Sequence, residues 1–271
     1  MQKTYQIRQV VRKGDDHPVW CQDNVVVYDA ETFNYLYTAT FDGCSKSIDA
    51  HFASQLCGKI FKECANQIHM NNTYLINYSI EDVIKEFVFI FVRRLKEVKS
   101  FLNLENDHLR STCIFHIYDK INNVSAVICL GDGVICINDE FHTVDMNNLV
   151  EYPIDYPDHL FDQTHNMFST NIRIGKYNEW FKQFTTSGEK RFFIIEDPRD
   201  ISISSDGISS FTNVLTKVND DEYVKNFLLI DKKFINRVDA MLTSKHQILK
   251  NEGFVNKDDL SIVRTIFSEK E

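Results

Sequence analysis

Three aspartates each close an apolar run, and each is followed by glycine: Phe41-Asp42-Gly43, Leu130-Gly131-Asp132-Gly133 and Ser205-Asp206-Gly207. The pairing is informative because glycine is scarce, nine in 271 residues. Two readings fit it. Asp-Gly is a favoured two-residue hairpin loop, and for Asp132-Gly133 that reading is natural, because residues 134–137 follow at once as an apolar run. Alternatively, carboxylates at strand ends converge on one edge of a sheet and hold divalent cations. An oxygen-only ligand set selects magnesium, manganese or calcium over zinc, and glycine lets a backbone carbonyl or a substrate approach closely. The hairpin reading is weaker for Asp42-Gly43, which opens a loop into a helix, and for Asp206-Gly207, which runs into Ile-Ser-Ser-Phe. Asp23 directly before the run 25–28, and Asp258-Asp259 directly before 260–266, are two more acidic spots of the same kind. Spacing alone leaves both readings open.

Other chemistries find no support. No cysteine is followed six residues later by arginine, as the loop of a tyrosine phosphatase requires. Asp42 is followed by Gly43 and Cys44, so the second aspartate of a haloacid-dehalogenase site is missing. The seven cysteines form no CxxC pair, which argues against a zinc ribbon or a thioredoxin-type centre. His51, His69, His108, His116, His142, His159, His165 and His246 show no ligand spacing and read as ordinary core or surface residues. Gly14 stands alone, and neither GxGxxG nor a P-loop occurs.

The elements that must position these aspartates are short. Residues 5–11, 25–28, 35–41, 111–118, 124–130, 134–137, 191–195, 201–205 and 260–266 are rich in β-branched and aromatic residues and read as strands. Ile48, Phe52, Leu56, Ile60 and Cys64 recur every four residues and define one long helix. A second begins after Ser79, an N-cap with Asp82 three residues on, and carries Ile80, Ile84, Phe87, Phe91, Leu95, Val98 and Leu102 along one stripe. A third is expected over about 233–249. Runs of adjacent strands imply antiparallel sheets, with the helices covering them. Residues 139–190 show weak periodicity and read as an irregular, flap-like excursion, with room for short helices, from one domain spanning 1–271.

The composition, 43% hydrophobic and 25% charged with a net charge of −9, is that of a soluble globular chain and lacks the clustered Lys and Arg of a nucleic-acid binder. The N-terminus shows no secretory h-region, the longest dense apolar run (87–92) is far short of a membrane span, and the unpatterned thiols suit a reducing cytoplasm.

In order, the chain reads His-Pro-Val-Trp-Cys-Gln-Asp (17–23), Ala-Thr-Phe-Asp-Gly (39–43), Arg-Ser-Thr-Cys (110–113), Cys-Leu-Gly-Asp-Gly (129–133), Ser-Ser-Asp-Gly (204–207) and Asp-Asp-Leu-Ser-Ile-Val (258–263). This series resembles the type 2C metal-dependent serine/threonine protein phosphatases, particularly their compact bacterial branch, over about residues 6–267. The resemblance implies an α+β fold, an α-β-β-α four-layer sandwich of two mainly antiparallel sheets flanked by helices. It implies two Mn²⁺ or Mg²⁺ ions held by Asp23, Asp42, Asp206 and Asp258 and by the carbonyl of Gly43, with Asp132 joining Asp206 at a third ion in some members. Asp259 stands where many members carry Asn.

The activity implied is hydrolysis of phosphoserine and phosphothreonine in proteins by a metal-bridged hydroxide, within kinase-linked signalling. Departures from the pattern matter. Cys44 occupies the place of a histidine proposed as general acid in many members, which would leave metal-bound water to protonate the leaving oxygen. Arg110 stands where glycine is usual. No arginine precedes Asp23 at the distance of the animal-type phosphate ligand, so His17, Lys13 and Lys46 are the candidates for that role. The departures keep a second reading open, a catalytically inactive module that binds a regulatory partner.

Overall fold

A computed structural model describes residues 3–17, 19–29, 34–47, 49–70, 78–145, 152–161, 171–186, 190–217, 220–237 and 240–269. Two five-stranded antiparallel sheets carry the architecture. One runs β1 (Lys3–Arg12), β12 (Leu260–Glu269), β9 (Asp200–Ser204), β6 (Gly133–Ile137) and β7 (Glu140–Val144). The other runs β2 (Asp23–Tyr28), β3 (Tyr35–Gly43), β4 (Ser111–Asp119), β5 (Val124–Leu130) and β8 (Phe192–Glu196). A small ribbon, β10 (Phe211–Asn213) with β11 (Phe254–Asn256), lies outside both. The nine expected strands are all present. β7, β10 and β11 are additions, too short or too polar to announce themselves.

The alternation of side chains along each strand builds the layers. On β3, Tyr37, Ala39 and Phe41 pack under the helices, whereas Leu36 joins Ile114, Val127, Ile203, Val263 and Phe267 in the core between the sheets. Thr38, Thr40 and Asp42 therefore share the inter-sheet face with Leu36. By the same parity Val25 and Val27 of β2 point between the sheets, and so does Asp23.

α1 (Ala50–Met70) and α2 (Ile80–Leu102) cover the outer face of the β2–β8 sheet. Ile48 lies outside the described residues. α2 starts with the expected capping box: Ser79 Oγ accepts from Asp82 N at 3.2 Å and Asp82 Oδ2 accepts from Ser79 N at 3.3 Å. Its apolar run from Phe87 to Val92 is buried on all sides because segment 139–190 is not wholly irregular. α3 (Asp158–Phe161) and α4 (Asn171–Thr186) lie against it, Phe89 meeting Phe161 at 5.8 Å and Tyr177 at 5.6 Å between ring centres.

The other sheet is covered by α5 (Asp221–Lys225), a π-turn over Asn226–Ile230 and α6 (Met241–Asn251). The third helix is thus shorter than expected. Phe234 takes a left-handed φ of 64°, Asp231 Oδ1 accepts from Lys233 N at 2.6 Å in a local turn, and the helix begins only at Met241. Among the described residues, no helix is long and apolar enough to cross a membrane.

Candidate active site

Hydrogen-bond register brings the first two aspartates together. Asp23 opens β2 and pairs directly with Asp42 near the end of β3, which in turn pairs with Thr112 of β4. Cross-strand partners on one face lie within side-chain reach. The two carboxylates therefore share the inter-sheet face at one end of the sandwich.

Asp132 arrives by a route the sequence hid. β5 and β6 belong to different sheets, so Gly131-Asp132-Gly133 is no hairpin but the crossing between them. Gly133 takes a φ of 139°, open only to glycine, and Arg191 Nη1 donates to Gly131 O at 2.8 Å to hold the crossing.

Asp206 begins a 3-10 turn, Asp206–Ser209, directly after β9. That turn is pressed against the start of β12: a Cβ at Gly207 would stand 1.7 Å from Asp259 O. Ser205 N donates to Ser261 O at 3.0 Å, and Asp258 N donates to Ser210 Oγ at 3.1 Å. Asp206 and Asp258 are in this way fixed to one rigid corner. Gly43 is pinned as tightly, since a Cβ there would stand 2.1 Å from Ala50 O.

Asp42, Gly43, Asp132, Asp206 and Asp258 line one cleft of about 610 Å³, together with Gln22, Cys44, Lys46, Arg110, Thr112 and Tyr152. Asp23 lies beneath it, 2% exposed. Of the three candidate phosphate ligands, only Lys46 borders the cleft. Lys13 is exposed and donates to His17 O at 2.8 Å, and both ring nitrogens of His17 face Asp258 and Asp259. Arg110 is the cleft cation that motif reading left unassigned. Its Nε meets Asp155 Oδ2 at 3.0 Å and its Nη1 meets Asp107 Oδ1 at 2.6 Å. The register Gly43↔Ser111 would have placed it there, had the pairing been known.

The electrostatics of Asp23, Asp42 and Asp206 are set by burial and by one another. Burial pushes the Asp23 carboxyl up to about 7, although the Ser205 and Ser261 hydroxyls and Asp42 pull it down. Burial raises Asp42 well above the carboxylate range, and the charges of Asp23 and Asp206 push it the same way. Asp206 is raised by burial against the opposing pull of Asp42, even though it keeps an open face to the cleft. Two like carboxylates sharing one site cannot both ionise freely unless a cation joins them.

Neither oxygen of Asp23 receives a well-formed hydrogen bond. Buried, poorly satisfied carboxylate oxygens together with an all-oxygen donor set suit a hard divalent cation. Among the described residues, no three acid, histidine or cysteine side chains stand close enough to form a finished coordination cage. The cluster is a convergent set of carboxylates rather than a closed shell. Cys44 is half-buried at the cleft wall. Burial alone would raise its thiol, but Tyr152, Ser47, the Lys46 N–H and Arg110 outweigh it and hold the thiol below its ordinary range.

Solved structures share this arrangement of layers across the whole chain. Serine/threonine phosphatase Stp1 from Staphylococcus aureus matches with a TM-score of 0.58 at 11% identity, covering 98% of this chain and 96% of its own. The fold is that of the type 2C phosphatases. The PP2C phosphatase domain and regulatory-domain fragment of SpoIIE from Bacillus subtilis match at a TM-score of 0.56 and 13% identity, over 99% of this chain and 65% of that one. RsbX in complex with magnesium matches at 0.51 and 12%, over 97% and 96%. No family model and no curated protein matches the sequence.

Proposed function

We propose that this chain is a Mn²⁺- or Mg²⁺-dependent protein phosphatase that hydrolyses phosphoserine and phosphothreonine. The observation that carries the proposal is the set of mutually repelling carboxylates, Asp23, Asp42 and Asp206, gathered from β2, β3 and the turn after β9 at the floor of one cleft. Its support from likeness is the shared type 2C fold and the magnesium of RsbX.

Asp23, Asp42, Asp206, Asp258 and the Gly43 carbonyl would hold two ions, and Asp132 with Asp206 a third. Divalent cations bound there supply Lewis acidity, which activates water and offsets charge on the phosphoryl oxygens.

The chain's own residues bind and orient the substrate. Lys46 and Arg110 both border the cleft and would bind phosphoryl oxygens, Arg110 being held in place by Asp107 and Asp155. Rigid strands fix the carboxylates, so little reorganisation is needed as charge develops. With Cys44 in the place of a histidine, the leaving serine or threonine oxygen would take its proton from water in the cleft. The partner implied is a phosphoprotein made by a serine/threonine kinase.

Phosphate release from a phosphothreonine peptide in Mn²⁺ tests the proposal. Release well above that of the Asp206→Asn variant is expected; equal release would remove the activity. Cys44 and Arg110 favour the second reading, an inactive partner-binding protein, and that reading gains if Mn²⁺ binds without turnover.

A further inference from the structure

The loop leading into β2 is bridged onto the link between β11 and β12. Asp15 N donates to Asn256 O and Asp16 N to Lys257 O, each at 3.0 Å, and a Cβ at Gly14 would stand 2.3 Å from the Asp258 carbonyl carbon. This seating delivers His17 to the two adjacent aspartates. Its Nε2 lies 2.9 Å from Asp258 Oδ1 and its Nδ1 lies 2.9 Å from Asp259 Oδ2, the second contact close but not aligned as a hydrogen bond.

The two carboxylates differ in their surroundings. Asp259 is 1% exposed and accepts from the backbone N–H groups of Gly14, at 2.6 Å, and Gln22. Asp258 has a side chain 46% exposed and borders the cleft. Besides the ion-pair contact of His17, its Oδ1 accepts a hydrogen bond from Asp259 N, at 2.8 Å. A surface carboxylate with a free rotor samples several rotamers, and an imidazole clamped from behind removes that freedom.

We infer that His17 is a positioning residue: Asp259 and the 14–17 loop fix its ring, and the ring fixes the Asp258 carboxylate in the orientation that faces the cation cluster. The inference rests on the reading of that cluster as a metal site. It also gives Asp259 a role, as the buried anchor of the device. Partners that orient a metal ligand typically change metal affinity about 10–100-fold when removed.

Calorimetric titration of the full chain with Mn²⁺ is the test. His17→Gln keeps an amide nitrogen near the Nε2 position and should stay within a few-fold of the natural protein. His17→Asn keeps one near Nδ1 only, and with His17→Ala it should bind Mn²⁺ about 10–100-fold more weakly. A role confined to tying down the loop would lower the melting temperature of His17→Ala and leave Mn²⁺ affinity within twofold, and that result overturns the inference. If the natural protein takes up no Mn²⁺, the proposed function falls instead. The metal-free crystal structure of His17→Ala then decides: Asp258 should leave its rotamer, and an unmoved carboxylate contradicts the positioning role.

Discussion

Two of the places where the molecule buries aspartates are treated in opposite ways. Asp200, at the start of β9, is matched by Arg264 of β12, whose Nε lies 3.1 Å from each of its oxygens and whose Nη2 lies 2.6 Å from Oδ2. The same guanidinium donates to Ile230 O and Asp231 O, closing the end of the π-turn. For Asp23 and Asp42, on the facing sheet, the described groups that act on them are further acids and the Ser205 and Ser261 hydroxyls. A fold that needs a buried charge for its own cohesion carries the counter-charge with it. A fold that leaves buried carboxylates facing one another relies on a cation from outside, or on protons.

Replacing Asp42 by Ala should abolish Mn²⁺-stimulated phosphate release, a loss of more than about 10²-fold, while the metal-free protein stays folded by circular dichroism, since one source of repulsion is gone. Arg264→Leu should do the reverse. It leaves Asp200 buried without its partner, which costs about 3–5 kcal/mol of stability in urea unfolding. The variant that still folds should bind Mn²⁺ as the natural protein does. Equal damage to metal binding from both substitutions would erase the distinction between the two regions.

Glu86 is a third solution. It sits in α2, 5% exposed, and burial lifts its carboxyl to about 7 despite the nearby charge of Arg93. Its folded-state pKa lies above the ordinary value of 4.5, so the folded chain holds the proton more tightly. The stability this confers is complete below about pH 4.5 and is lost as pH rises through about 7, a decline of roughly 3 kcal/mol. Glu86→Gln should remove that decline and raise the melting temperature at pH 8. An unchanged pH profile would place Glu86 with the charged residues instead.

The smallest effect concerns α2 itself. Ser79→Ala removes the cap and should cost about 1 kcal/mol without changing Mn²⁺ affinity.

Most of the framework was legible because it rests on local signals. The β-branched runs gave nine strands, and Ser79 with Asp82 gave the start of α2. What failed was non-local. Asp132-Gly133 reads as a hairpin because nothing within ten residues says that β5 and β6 lie in different sheets. The helix expected from about residue 233 is cut short because Phe234 adopts a left-handed turn that its side chain does not advertise. Within the cleft, the aspartates could be named from motif order. Arg110 and the seat of His17 could not, since both depend on which strands and loops meet. Lys13 fitted by distance along the chain and lies outside the cleft in space.

We propose that the acids gathered at the sheet edge hold divalent cations. Crystals grown with Mn²⁺ and measured at the manganese absorption edge test it most directly. The account predicts two strong anomalous peaks among Asp23, Asp42, Asp206 and Asp258, and none beside Asp200, where Arg264 already fills the place of a cation. An anomalous map without peaks in the cleft, at millimolar Mn²⁺ and neutral pH, would contradict it.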